Sequence, residues 1–175
     1  QHYYKTVEED PLLDKGWIAI TDFYVRQKKF EKALYFVNKA LNIDNQNRFY
    51  WKRFASINKA LNLFEEAEFG YRKAVEFGDY QLDTWLFWVD ILQFLGEFES
   101  AIHTLLQASE YFPEEYEIEY RLAGLYFMIH DDSKAKFHLS NGLRLNFKNK
   151  SILEELFPVV WARKMVQNAI NKCSK

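Results

Sequence analysis

Cysteine occurs once, at Cys173, so no internal disulfide can staple the chain and nothing in it calls for an oxidising compartment. Proline is present three times and glycine six, too sparsely for the many turns of a β-sandwich or barrel. Neither charge sign prevails: 23 Lys and Arg against 25 Asp and Glu leave a net charge of −2, and no overall positive field exists to condense on a phosphate backbone. Nucleic acid is therefore not an expected partner. No apolar run approaches the roughly 18 residues of a membrane helix, and no charged-then-apolar leader opens the chain. No membrane role is expected, and the chain reads as soluble, with the cytoplasm the expected compartment. The first residue is Gln1 rather than Met, which leaves open a removed leader or a longer parent protein.

Catalytic signatures are missing as well. There is no Gly-rich phosphate loop, no zinc-ligand spacing and no nucleophile elbow, so no enzyme activity, no cofactor and no metal are expected. Of the four histidines, His2, His103, His130 and His138, the last three could approach one another on neighbouring helices. Without a His-x3-His pair or cysteine support they read as solvated or half-buried helix positions, and His130-Asp131-Asp132 as a turn and cap.

Apolar residues, in contrast, make up 49% of the chain and aromatics 18%, enough for a core built from bulky side chains. They recur with one period. Ala33, Ala67, Ala101 and Ala135 lie 34 residues apart, and Trp17, Trp51 and Trp85 keep the same interval, as do Ala40, Ala74, Ala108 and Gly142. Phe30, Phe64 and Phe98 precede three of the alanines at a constant offset, with Asp132 in the fourth place. Inside each unit the apolar residues recur at three and four, the helical period, in two stretches. In the first unit these are Trp17, Ile20 and Tyr24, then, after Lys28-Lys29, Phe30, Ala33, Val37 and Ala40. An antiparallel helix pair is the expected unit. Gly96 marks the turn inside the third, Pro113 the break after it, and Asp131-Asp132-Ser133 supplies capping oxygens in the fourth. The alanines allow helix axes to approach to the short end of roughly 8–10 Å. The tryptophans are expected to fill the space between neighbouring hairpins.

This pattern resembles the tetratricopeptide repeat, whose signature is Trp-x2-Leu-Gly-x2-Tyr, then Ala-x3-Phe, then Pro. The units read Trp17-x2-Ile20-Thr21-x2-Tyr24 with Ala33-x3-Val37, Trp51-x2-Phe54-Ala55 with Ala67-x3-Tyr71, and Trp85-x2-Trp88-Val89 with Ala101-x3-Leu105 and Pro113. The fourth keeps Leu122-Ala123-x2-Tyr126 and Ala135-x3-Leu139, but Glu119 replaces the tryptophan. The resemblance implies an all-α fold, a right-handed superhelix or α-solenoid of antiparallel helix pairs, forming a single array over residues 1–175. Within it, residues 1–13 are expected to be the second helix of a partial repeat, with Tyr3 and Pro11 in register. Full repeats are expected over 14–47, 48–81, 82–115 and 116–149. Residues 150–175 form a degenerate capping repeat, with Ala169 one period after Ala135 and Pro158 interrupting the preceding helix.

The resemblance also implies a protein–protein interaction scaffold that holds a peptide or protein in a concave groove lined by the first helices. The family's groove positions select Asp22, Phe49, Lys52, Lys59, Leu86, Asp90, Tyr120 and Phe127, with Arg26 adjacent. Lys15, Lys52 and Lys59 in the first half, against Asp83, Asp90 and Glu117 in the second, would polarise that groove. A ligand would then place acidic groups toward the amino-terminal half and basic or aromatic groups toward the other. The Lys and Asn clamp with which some relatives hold acidic chaperone tails is not matched: Ile18 and Asp22 stand where the first pair belongs, and Arg53 where the second Asn belongs. The alternatives are a structural or self-associating segment of a larger multi-repeat protein and, more remotely, an RNA-processing type of helical repeat. Trp161, Met165 and Val166 mark the C-terminal end through which homo-oligomerisation stays open.

Overall fold

In the computed structural model, which describes residues 13–175, every regular element among the described residues is helical. Eight helices come in order as α1 (Asp14–Arg26), α2 (Phe30–Ile43), α3 (Arg48–Ala60), α4 (Phe64–Glu76), α5 (Leu82–Phe94), α6 (Phe98–Tyr111), α7 (Tyr116–Met128) and α8 (Asp132–Leu145). A single 3-10 turn (Phe147–Asn149) leads to three shorter helices, α9 (Ser151–Leu156), α10 (Pro158–Trp161) and α11 (Lys164–Cys173). The molecule divides into two compact units, one ending at Ile91 and the other beginning at Leu92. The partial repeat expected over residues 1–13, with Tyr3 and Pro11, lies outside the described residues except for Leu13.

The first helices start at Asp14, Arg48, Leu82 and Tyr116, and the second helices at Phe30, Phe64, Phe98 and Asp132, each step being 34 residues. One turn chemistry accounts for this regularity. Lys28, Asn62, Gly96 and His130 all adopt the left-handed region, with φ of 57°, 62°, 78° and 64°. The residue after each donates its backbone N–H five residues back: Lys29 to Tyr24 O, Leu63 to Asn58 O, Glu97 to Leu92 O and Asp131 to Tyr126 O, at 2.8–2.9 Å. This is the Schellman closure, which satisfies otherwise orphaned carbonyls at a helix end and reverses the chain. Capping at the opposite ends is less uniform. Asn47 Oδ1 accepts from the N–H groups of Phe49 and Tyr50, and Asp131 Oδ1 accepts from that of Lys134.

Ala33, Ala67, Ala101 and Ala135 are each fully buried, as are Ala40, Ala74 and Ala108, so the periodic small residues sit in equivalent interior positions. In the first unit α1 packs on α2, α2 on α3 and α3 on α4. Its core gathers Ile18, Val37, Leu41, Tyr50 and Ile57 about the alanines, with Trp17, Tyr24, Trp51 and Phe54 packed at the edge. Trp17 and Trp51 are half-buried whereas Trp85 is buried. Trp17 stacks on Phe36 at 5.7 Å, and Trp51 meets Phe54 and Phe69 edge-on at 5.4 and 5.6 Å. In the second unit α6 packs on α7 and α7 on α8.

After α8 the pattern changes. Pro158 occupies the first position of α10, where its missing N–H costs no hydrogen bond, and it divides what would be one helix into α9 and α10. Both pieces pack on α7, while α11 packs on α8. Ala169 is only half-buried, and Val166 and Ile170 turn inward instead, so α11 does not repeat the interior alanine of its predecessors.

Candidate functional site

Because the first helices repeat at one interval, their exposed faces carry corresponding residues, and α1, α3 and the start of α5 present such a face in the first unit. Asp22 on α1 accepts from Arg53 on α3 through both oxygens, from Nε at 2.8 Å and Nη2 at 3.2 Å. One step along, Lys52 Nζ on α3 reaches both carboxylate oxygens of Asp83 on α5 at 3.0 Å. Lys52 and Asp83, expected to mark opposite ends of a polarised groove, therefore neutralise each other across adjacent helices. Lys59 Nζ lies over the Phe87 ring at 5.1 Å, and the Arg48 guanidinium over Phe49 at 4.8 Å. Phe49 is 50% and Phe87 37% exposed, Arg26 and Lys15 are exposed, and Asp90 is half-buried. The surface is thus two ion-paired rungs framed by accessible aromatics. Arg53, read from sequence only as a departure from the clamp pattern, supplies one of those rungs.

Three of the expected groove residues belong to the interior. Leu86 is 7%, Phe127 2% and Tyr120 0% exposed, so they offer no surface to a ligand. The reason in the second unit is the divided helix after Ser151. Phe157 lies against α7 so closely that a Cβ added to Gly124 would stand 2.2 Å from its ring. Gln93 Nε2 donates to Leu156 O at 2.8 Å, and the Arg163 guanidinium covers Phe127 at 4.9 Å while reaching the Asp132 carboxylate at 3.3 Å. The Tyr120 hydroxyl is taken by Asn146 O at 2.7 Å, and its ring rests on Gly142. The face of α7 expected to receive a partner is occupied by the chain itself. Val166, expected at a self-association face, is likewise fully buried.

Glu119, which stands in the tryptophan position of the fourth hairpin, has its own partners. Its Oε2 lies 2.6 Å from His138 Nδ1 and 3.4 Å from Asn141 Nδ2, and the His138 ring stacks on Tyr126 at 5.5 Å. His103 and His130 are exposed, and no group of three His, Cys, Asp or Glu side chains among the described residues is arranged to hold a metal ion. Among the same residues no helix is long and apolar enough to cross a membrane.

Burial displaces the protonation of several tyrosines. Tyr50 is moved well above the usual phenol range by burial and by its hydrogen bond to the Asp14 carboxylate. Tyr71 is pushed up to about 12 by burial and then by Asp83, and Tyr120 to about 12 mainly by burial. Between pH 10 and 12 the folded protein accordingly binds protons that the unfolded chain releases. The stabilisation is complete below the unfolded value of 10 and is lost as pH rises toward 12. Urea unfolding at pH 9, 10 and 11 should show a falling midpoint, and Tyr71→Phe should flatten part of that fall.

No family model and no curated relative matches the sequence. Solved structures do. The chain is similar to YrrB, described as a TPR protein with an unusual peptide-binding site, with a TM-score of 0.77 and 16% identity over 99% of this chain and 91% of that one. It is similar to MamA from Desulfovibrio magneticus RS-1, with a TM-score of 0.72 and 13% identity over 92% and 93% of the two chains. It also matches a chain of the APC/C hetero-tetramer Cut9-Hcn1, with a TM-score of 0.65 and 19% identity over 98% of this chain and 35% of that one. The chain has the all-α fold of the tetratricopeptide repeat proteins, and helix pairs of 34-residue period are the form that fold takes here.

Proposed function

We propose that the chain is a non-catalytic protein-interaction scaffold that holds a peptide or protein partner along the first-helix face of its amino-terminal unit. The observation that carries this reading is the pair of exposed rungs, Asp22–Arg53 and Lys52–Asp83, framed by Phe49 and by Lys59 over Phe87. Partly solvated ion pairs of this kind contribute little to stability, about 0–1 kcal/mol each. They do offer a partner's backbone and side chains ordered donors and acceptors beside apolar rings, the composition of an interaction surface. The likeness to a protein with a peptide-binding site is consistent with this use of the fold.

A displayed peptide library selected on the full chain tests the reading. Replacing Phe49 with Ala and Lys59 with Glu, both exposed positions, is expected to weaken selected peptides at least about tenfold, the effect of losing a principal contact. Unchanged affinity for every selected peptide would remove the first-helix face from consideration. A second reading, self-association, is favoured by Tyr35 and Phe69, 34 residues apart on second helices of the amino-terminal unit at 57% and 39% exposure. Sedimentation at several concentrations distinguishes it, since a monomer at all of them excludes self-association.

A further inference from the structure

The turn that closes the first hairpin carries positive charge that no carboxylate among the described residues neutralises. Arg26, Lys28, Lys29 and Lys32 are exposed, and none of the four makes an ion pair among the described residues. Lys52, Arg53, Arg72 and Lys73 in the same unit are each paired with a carboxylate, and Lys39, Arg48 and Lys59 lie over aromatic rings. The unpaired lysines border a cavity of about 410 Å³ lined by Lys28, Lys29, Phe30, Glu31, Lys32 and Leu61. Phe30 and Leu61 are half-buried and give that cavity an apolar wall. Its volume falls within the range of about 300–1,000 Å³ in which small ligands and side chains are held. Lys32 Nζ is drawn over the Tyr24 ring at 5.5 Å, which restricts one of the cations before any ligand arrives.

Lys28 is also out of place conformationally. It holds φ of 57° at the turn position where the second, third and fourth hairpins use Asn62, Gly96 and His130, of which asparagine and glycine enter the left-handed region with least strain.

We propose that this turn is a second docking site, distinct from the first-helix face, and that its ligand is an acidic peptide segment carrying a large apolar side chain. The carboxylates would pair with Lys28, Lys29 and Lys32, and the apolar side chain would enter against Phe30 and Leu61. Such a complex forms quickly and weakens with salt, because steering by rim charges screens over about 10 Å at 0.1 M. A nucleic acid fits less well. The Glu31 carboxylate sits in the same wall, and four cations at one turn do not make the extended basic track that a phosphate backbone follows.

Fluorescence anisotropy on the full chain tests the proposal with a labelled twelve-residue peptide in which one leucine is flanked by Asp and Glu. A version with glycine for leucine and a labelled oligouridine serve as comparison probes. The leucine peptide is expected to bind, to weaken at least tenfold in the Lys29→Glu, Lys32→Glu double variant, and to weaken when glycine replaces leucine. Lys28→Gly is expected to lower affinity several-fold while raising the urea midpoint, a combination that a purely structural lysine would not give. Phe49→Ala should leave this binding unchanged, which separates the site from the first-helix face. The proposal is overturned if the leucine peptide fails to bind at millimolar concentration, if charge reversal leaves its affinity intact, or if oligouridine binds more tightly with the same lysine dependence.

Discussion

Phe157→Ala is expected to destabilise the carboxy-terminal unit by about 3–5 kcal/mol, the range for emptying a buried aromatic position. Phe157 is 3% exposed and lies flat against Gly124, so its removal opens a void that α7 cannot close without moving. It also fixes where Leu156 O meets Gln93, and hence how α9 and α10 cover α7. Urea unfolding followed by circular dichroism should register the loss. Amide exchange should accelerate across α7 and α9 to α11 while α1 to α4 keep their protection. Uniform protection in the variant would mean that the divided helix contributes nothing to its unit. The reciprocal change, Gly124→Ala, should be harmful as well, since the added carbon has only 2.2 Å to the Phe157 ring.

Ala67→Leu should destabilise the amino-terminal unit by about 1–3 kcal/mol through overpacking. Ala67 is fully buried at the point where α4 approaches its neighbours, and three extra carbons there force either backbone displacement or an unfavourable rotamer. Ala60→Leu is the matched control, because Ala60 is exposed at the end of α3 and surface substitutions usually stay within about 0.5 kcal/mol. Equal midpoints for the two variants would show that the alanine column is not a contact point.

The alanine column and the helix pairs were legible in the sequence because both follow from one local rule, small residues recurring where backbones meet. The interior placement of Ala33, Ala67, Ala101 and Ala135 matches that rule directly. Turn chemistry was legible at Gly96 and at His130-Asp131-Asp132, whereas Lys28 showed only as a break between two apolar stretches, because its left-handed backbone comes from the closure of the hairpin and not from side-chain preference. The surface was less readable. Leu86, Tyr120 and Phe127 occupy groove positions in the family pattern, yet whether such a position stays open depends on what packs beside it. For Tyr120 and Phe127 the covering residues, Asn146 and Arg163, come from far along the chain. Charge position alone likewise gave a polarised groove, whereas Lys52 and Asp83, 31 residues apart, meet at 3.0 Å and cancel. Pro158 was visible as an interruption, but periodicity carries no information about the direction the chain takes after a break.

The left-handed closure accepts lysine, asparagine, glycine and histidine at one equivalent point of each hairpin. The hairpin closure imposes the same backbone on all four, at a cost that lysine and histidine bear and glycine avoids, so composition can drift at these four places without deforming the helices on either side. They are accordingly suited to carrying spectroscopic labels, one per hairpin, each reporting on its own module from a solvent-facing corner.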